Sequence, residues 1–295
     1  MAMAYTAPLV VSLLTTVVLQ LSCFAIAFAC QMDKITDLAG TSNFVVIAIG
    51  TLVAYSHYTA RQIVLSTFVC IWGLRLGAFL LERVLRRGHD ARFNDMRRDC
   101  GKFLGFWVAQ IIWVWIVSLP VIFVNASPVN PGIGALDLFG WAIWLTGAIV
   151  EFWADQTKRD FREDDINRGL LRTGVWRWSR HPNYFGEICC WIGIFLSSSV
   201  TFVGWEFVSV LSPILTTTLL MFVSGIPLAE ARYDARFGLQ HFYIEYKKST
   251  SPIIPFPPTV YKNFPDIVKK ILFCELNRYS RVLNSQRSMH ASVDH

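Results

Sequence analysis

Residues 179–200 read SRHPNYFGEICCWIGIFLSSSV. Nine residues that include an Arg, a His, an Asn, a Tyr and a Glu run without a break into thirteen that read as membrane. This junction decides the fold class. Ionisable groups at the edge of a bilayer are costly and are kept where they serve a function, so the stretch reads as the mouth of a membrane-embedded site. Composition agrees. Of 295 residues, 54% are hydrophobic and 16% charged, against about 25% charged in soluble domains.

Working outward, seven segments approach the roughly 20 apolar residues that a spanning helix needs. They lie near 7–29, 43–60, 62–82, 103–125, 134–153, 186–204 and 206–227. The expected fold is therefore all-α, a polytopic bundle of about seven transmembrane helices. The first segment lacks a basic leader and is too long for a signal peptide, so it is read as an uncleaved span. Basic residues concentrate in the stretches 83–102, 154–185 and 228–295, which hold 24 of the 27 Lys and Arg. With seven spans these stretches share one face, and the positive-inside rule makes that face, with the C-terminus, cytosolic. The net charge of +6 is then a membrane-face bias that says nothing of nucleic acid. Residues 1–262 read as one integral membrane domain. Residues 263–295 read as a tail, first a short amphipathic helix (FPDIVKKILFCEL) on the membrane, then a disordered last dozen residues. Seven Cys without a CxxC and six His without an HxxxH pair give no metal-ligand spacing. Asn125-Ala-Ser is a formal glycosylation sequon, expected to go unused so close to a membrane end.

The fifth span ends GAIVEFWADQTKRDFRED. Glu151, Asp155, Lys158 and Arg162 follow one another at helical spacing and form a charged stripe climbing out of the membrane. A carboxylate within the last turn of a span, as Glu151 is, needs a partner. Lys158 and Arg162, four apart, can clamp a phosphate, the Arg as a bidentate fork and the Lys as a point charge. In the third span Arg75 sits too deep to snorkel comfortably. After the fifth span, Gly169 and Gly174 break the helix, and Trp176 and Trp178 suit the interface. Pro182 pins a turn, and helix restarts near Asn183 with Glu187 in its first turns. A helix N-terminus attracts anions and Arg180 strengthens that pull. An anion seat beside flat aromatic surfaces suits a nucleotide. Tyr184 and His181 are the side chains here able to deliver a proton. A ligand-free interfacial cap explains the same residues less well, because so many costly groups converge. No Gly-x-Gly-x-x-Gly follows a strand, so a nucleotide is not held by a Rossmann unit. Downstream, Glu230, Asp234 and Arg236 lie on a helix leaving the last span, Tyr243 and Tyr246 precede Lys247-Lys248, and SPIIPFPP is set to pack across the mouth.

GVWRWSRHPNYFGE, with E-x-x-x-D-x-x-K-x-x-x-R upstream and E-x-R … Y-x-x-Y-K-K-x-T-S-P-x-I-P downstream, resembles the membrane reductases of the steroid 5-alpha-reductase superfamily. The likeness is to the branch with a 3-oxo-5-alpha-steroid 4-dehydrogenase-like C-terminal domain and covers about residues 30–260. It implies NADPH held at the cytosolic ends of the C-terminal spans of a helical bundle in the endoplasmic reticulum. Lys158 and Arg162 match the pair that holds the phosphate end in sterol reductases. Trp176, Arg180, Asn183 and Glu187 lie in or beside the motif around the cofactor, Glu230 matches the acidic position of the last helix, and Tyr246 the tail tyrosine. The implied activity is reduction of a carbon–carbon double bond in a lipid, steroid or other apolar substrate, with Tyr184 as the acid and His181 and Glu151 behind it. A related Arg-His-Pro-x-Tyr turn occurs in isoprenylcysteine carboxyl methyltransferases, so a methyltransferase using S-adenosylmethionine is the alternative, and a non-enzymatic membrane protein retaining the fold is a third reading. The methyltransferase needs no phosphate clamp, so Lys158 and Arg162 discriminate.

Overall fold

The structure, a computed structural model, describes residues 2–87, 93, 96–163, 169–276 and 279. Among the described residues the long elements are all helices, and six stretches are long and apolar enough to cross a membrane. In chain order the helices are α1 (Ala2–Ala29), α2 (Thr36–Tyr55), α3 (Ala60–Arg87), α4 (Cys100–Ala126), α5 (Ala135–Glu163), α6 (Pro182–Ser199), α7 (Leu211–Thr218), α8 (Ile226–Phe237), α9 (His241–Ser249), α10 (Pro258–Tyr261) and α11 (Asp266–Leu272).

The helices depart from the expected spans where polar residues intervene. α2 ends five residues earlier than expected, because Ser56–Thr59 serve as the entry to α3. There the Gln62 side chain accepts from the backbone N–H groups of His57 and Thr59 at 3.1 and 3.0 Å, satisfying donors that a helix start leaves orphaned. α5 continues through the charged stripe to Glu163. The segment expected at 186–204 is the 18-residue α6 and is not among the six spanning stretches, since its first turns carry Asn183 and Glu187 and it ends in three serines. The sixth stretch, Trp205–Phe237, is broken. A 3₁₀ turn (Trp205–Val210) leads into α7, a single π turn covers Leu219–Val223, and α8 follows. Gly225 permits the break: a Cβ there would lie 2.3 Å from the Leu220 carbonyl oxygen.

The chain forms two compact units. The first comprises Met1–Trp144 and Trp191–Leu215. Its core is aromatic, with Phe44 packed edge-on against Trp72 and Trp113, and Trp72 against Trp191. Arg61, wholly buried, forms a fork with Asp137 at 2.6 and 2.8 Å and spends its other donors on Asn130, Pro131 O and Gly132 O. This ties the start of α3 to the turn before α5. Asn125, the sequon residue, is buried, and its amide donates to Thr51 and Ser66 at 3.0 Å each. Arg83 reaches Asp37 at 2.8 Å, half-buried.

The second unit comprises Leu145–Cys190 and Thr216–His295. In it α5 and α6 cross at glycines. A Cβ on Gly186 would lie 2.5 Å from Gly147 O and 2.7 Å from the Glu151 Cβ, an approach that small residues make possible in membrane helices. The segment beyond 262 is not a detached tail in its described part: Phe273, Glu275 and Tyr279 are buried in this unit. The expectation of disorder over the last dozen residues falls outside the described residues.

Candidate functional site

The sequence-predicted site residues all fall in the second unit. Two local devices place them. The first holds Trp176. It sits in a 3₁₀ turn (Gly174–Arg177) that Gly174 enters at φ +58°. Its indole N–H donates to Ala154 O on α5 at 3.0 Å, and its carbonyl accepts from the Tyr246 hydroxyl of α9 at 2.6 Å. Lys158, one turn along α5, lies with Nζ 5.1 Å from the Trp176 ring, a cation–π contact.

The second device holds the RHPNY segment. The Ser179 hydroxyl donates to Ile253 O at 2.8 Å and accepts from the His181 N–H at 3.1 Å, while the Arg180 N–H donates to Ser251 O at 2.8 Å. The Pro-rich stretch therefore runs beside residues 178–180, in a single parallel bridge pairing Ser179 with Ser251. Pro182 then opens α6, the first helical position being the one where a missing N–H costs nothing.

Between these lies a buried charge cluster with Glu230 at its centre. Glu230 Oε1 is 2.9 Å from Arg180 Nε and 3.0 Å from His181 Nε2, and Oε2 is 2.7 Å from Lys247 Nζ. Lys247 also reaches Asp234 at 2.8 Å and donates to Tyr279 O. Asp234 in turn accepts from the Tyr243 hydroxyl at 2.6 Å. Arg180 turns its far nitrogens to Glu275 at 2.9 Å and to the carbonyls of Lys247 and Thr250, and Tyr261 donates to Glu275 at 2.9 Å. The local sequence explains the convergence. Glu230 and Asp234 are four apart on α8, Tyr243 and Lys247 four apart on α9, and such pairs share a helix face.

Formally, two cations, Arg180 and Lys247, meet three carboxylates, Glu230, Asp234 and Glu275. The cluster has no surplus positive charge. Burial works against the Arg180 charge, and Glu230 with Glu275 more than offsets it, so the guanidinium stays charged. Burial lowers the His181 pKa, with Arg180 and Lys158 adding to the effect against the opposing pull of Glu230. Neutral His181 therefore faces a carboxylate that can only accept, so Nε2 carries the proton and Nδ1 is left as the acceptor. Burial raises Tyr243, Tyr246 and Tyr261 and keeps all three protonated.

The expected residues separate into two groups. Lys158, Trp176, His181 and Tyr184 form two pairs: the His181 and Tyr184 rings stack at 5.4 Å and 7°, and Lys158 lies over the Trp176 ring, its charge adding to the lowering of the His181 pKa. Asn183 follows on α6, its Oδ1 shielded from solvent and without a hydrogen-bond partner among the described residues. Glu187 is half-buried one turn later, and Glu151 is buried at the α5–α6 crossing. Arg180, Glu230 and Tyr246 differ from expectation. Arg180 was expected to face an anion, and its donors are instead committed to two glutamates and two carbonyls. Tyr246 spends its hydroxyl on the Trp176 carbonyl. The Arg162 side chain lies outside the described part of the structure. Lys247, Glu275 and Tyr261 belong to the cluster although sequence reasoning did not single them out. The four-residue step from Tyr243 to Lys247, facing the step from Glu230 to Asp234, is the signal that could have found Lys247.

A family model described as a protein of unknown function, DUF1295, matches residues 23–250. An uncharacterized protein of Schizosaccharomyces pombe, C594.04c, is 20% identical over 201 residues, 58% of this chain and 57% of that protein. The 3-oxo-5-alpha-steroid 4-dehydrogenase 1 proteins of Macaca fascicularis and Homo sapiens are each 32% identical over 121 residues, 40% of this chain and 40 and 41% of theirs. The matches thus span 40 to 57% of the length of these curated relatives. No solved structure matches.

Proposed function

The chain belongs to the DUF1295 family, and we propose that it is a membrane-embedded, NADPH-dependent reductase of a carbon–carbon double bond in an apolar substrate of steroid or lipid type. The observation that carries the reading is the pair of contacts Lys158–Trp176 and His181–Tyr184, with His181 held on the buried charge cluster through Glu230. The similarity to proteins named 3-oxo-5-alpha-steroid 4-dehydrogenase 1 supports it. The reading includes residence in the endoplasmic reticulum with the C-terminus cytosolic.

The residues fit the cofactor on two counts. Asn183 Oδ1 is shielded from solvent and has no hydrogen-bond partner among the described residues, so it can accept from a bound molecule. Lys158 is a half-buried cation beside a flat indole, the pairing that a phosphate next to a ring requires. NADPH, when bound, would supply the hydride that reduces the double bond. Lys158 with Arg162 would hold its phosphate end. Trp176 gives a flat apolar wall, and Asn183 and Glu187 orient polar edges along α6. Tyr184 delivers a proton from its hydroxyl to the second carbon, and the neutral His181 ring stacked on it holds the phenol in place. Glu151 backs that pair from α5. Arg180, Glu230 and Tyr246 act one step back: they lock residues 176–181 against α8 and α9 so that the touching residues are preorganised.

The test is NADPH binding to the detergent-purified full chain, followed by tryptophan quenching, with NADH and S-adenosylmethionine as controls. Micromolar NADPH binding is expected, weakened at least ~10-fold by Lys158→Ala/Arg162→Ala. Binding of S-adenosylmethionine without NADPH would replace the reductase with a methyltransferase.

A further inference from the structure

Helix α11 (Asp266–Leu272) buries none of its residues. Ile267, Val268, Ile271 and Leu272 share one face by their one- and four-residue spacing, and Asp266, Lys269 and Lys270 take the other. Ile267, Ile271 and Leu272 are 66, 70 and 60% exposed. That matches side chains such as Leu74 and Val53 on the spanning helices, at 63 and 65%, whose solvent is lipid. A seven-residue helix does not stand alone in water. This one is held by what flanks its apolar face. Phe273 packs on Phe256, Tyr261 and Phe264 at 5.0, 5.1 and 5.7 Å. Lys269 Nζ reaches the carbonyls of Lys248 and Lys262 and lies 4.9 Å over the Tyr261 ring. The anchoring leaves the apolar face outward. The same aromatic group connects to the half-exposed Trp178, whose carbonyl accepts from the Phe256 N–H at 3.0 Å, and Trp is a residue of membrane interfaces.

We infer that α11 lies in the headgroup layer of an anionic leaflet, with Ile267, Ile271 and Leu272 immersed and Lys262 and Lys270 toward the lipid phosphates. Apolar and basic faces on one short helix fit that boundary, and Lys262 and Lys270 against one Asp266 supply the complementary charge. Four apolar side chains fall far short of the ~1,200 Å² that a specific protein interface buries, so a second copy of the chain is a poor occupant. They suffice for a helix already tethered to a membrane protein. The inference concerns attachment and stands apart from the reductase reading.

The full-length protein, carrying benzoylphenylalanine in place of Ile271 or, as the polar-face control, of Lys270, is placed in nanodiscs of phosphatidylcholine with or without phosphatidylserine and irradiated. Lipid adducts at 271 are expected to exceed those at 270 and to increase with phosphatidylserine. Lys262→Gln should lower the docked-to-undocked ratio in phosphatidylserine discs roughly fivefold. Equal lipid labelling at 270 and 271, indifference to phosphatidylserine, or cross-linking of two copies of the chain at 271 would each overturn the inference.

Discussion

Two buried arginines do different work. Arg61, in the first unit, is matched in a closed arrangement: one fork to Asp137, with its remaining contacts to neutral oxygens. It joins a helix start to a turn. Arg180, in the second unit, is one of several charges sharing carboxylates, and a histidine hangs on the same oxygen of Glu230. A closed pair is a rivet. A shared cluster with a neutral imidazole at its edge can hold several backbone segments in register and still respond to protons and ligands. The difference teaches that burial of charge alone does not mark a site. What marks it is convergence of several elements on one group.

The largest effect is expected from breaking the rivet. Arg61→Met strands Asp137 in the interior and should cost ~3–5 kcal/mol of stability, read as thermal unfolding in detergent, whereas Arg61→Met/Asp137→Leu should recover most of it. The cluster should degrade more gently. Glu230→Gln leaves Arg180 on Glu275 and Lys247 on Asp234, so a loss of ~2 kcal/mol is expected in the same assay. If Glu230→Gln proved costlier than Arg61→Met, the contrast between rivet and shared cluster would fail. Lys158→Ala should weaken NADPH binding about tenfold, ~1.4 kcal/mol, while stability changes by less than ~1 kcal/mol, the value of its cation–π contact. The smallest effect is on pH dependence. His181 is depressed by burial, so below about 6.5 the unfolded chain binds a proton that the folded chain refuses. Stability is present above that pH and declines as pH falls toward the lower folded value. His181→Asn should flatten this decline, and substitutions at Arg61 should leave it in place.

Hydropathy made the spanning helices readable because the bilayer requires long apolar runs, and α1, α3 and α4 sit close to where that rule puts them. The broken last stretch escaped notice, since Leu219–Val223 is as apolar as any helix and the close approach that Gly225 permits leaves no mark on hydropathy. In the site, SRHPNYFGE was legible because its polar density is out of place beside a membrane. Lys247 was not, because in YKK it looks like its neighbour Lys248. On a helix those neighbours point about 100° apart, and one is buried while the other is exposed. Glu275 and the Arg61–Asp137 pair depend on contacts 95 and 76 residues apart, which no local pattern encodes.

Hydrogen–deuterium exchange of the detergent-purified full chain with and without NADPH tests the assignment of the cofactor to the second unit most directly. Slowed exchange is expected over 154–162, 174–187 and 230–247, with the peptides of α1 to α4 unchanged and S-adenosylmethionine without effect. Protection confined to α1–α4, or appearing with S-adenosylmethionine and not with NADPH, would contradict it.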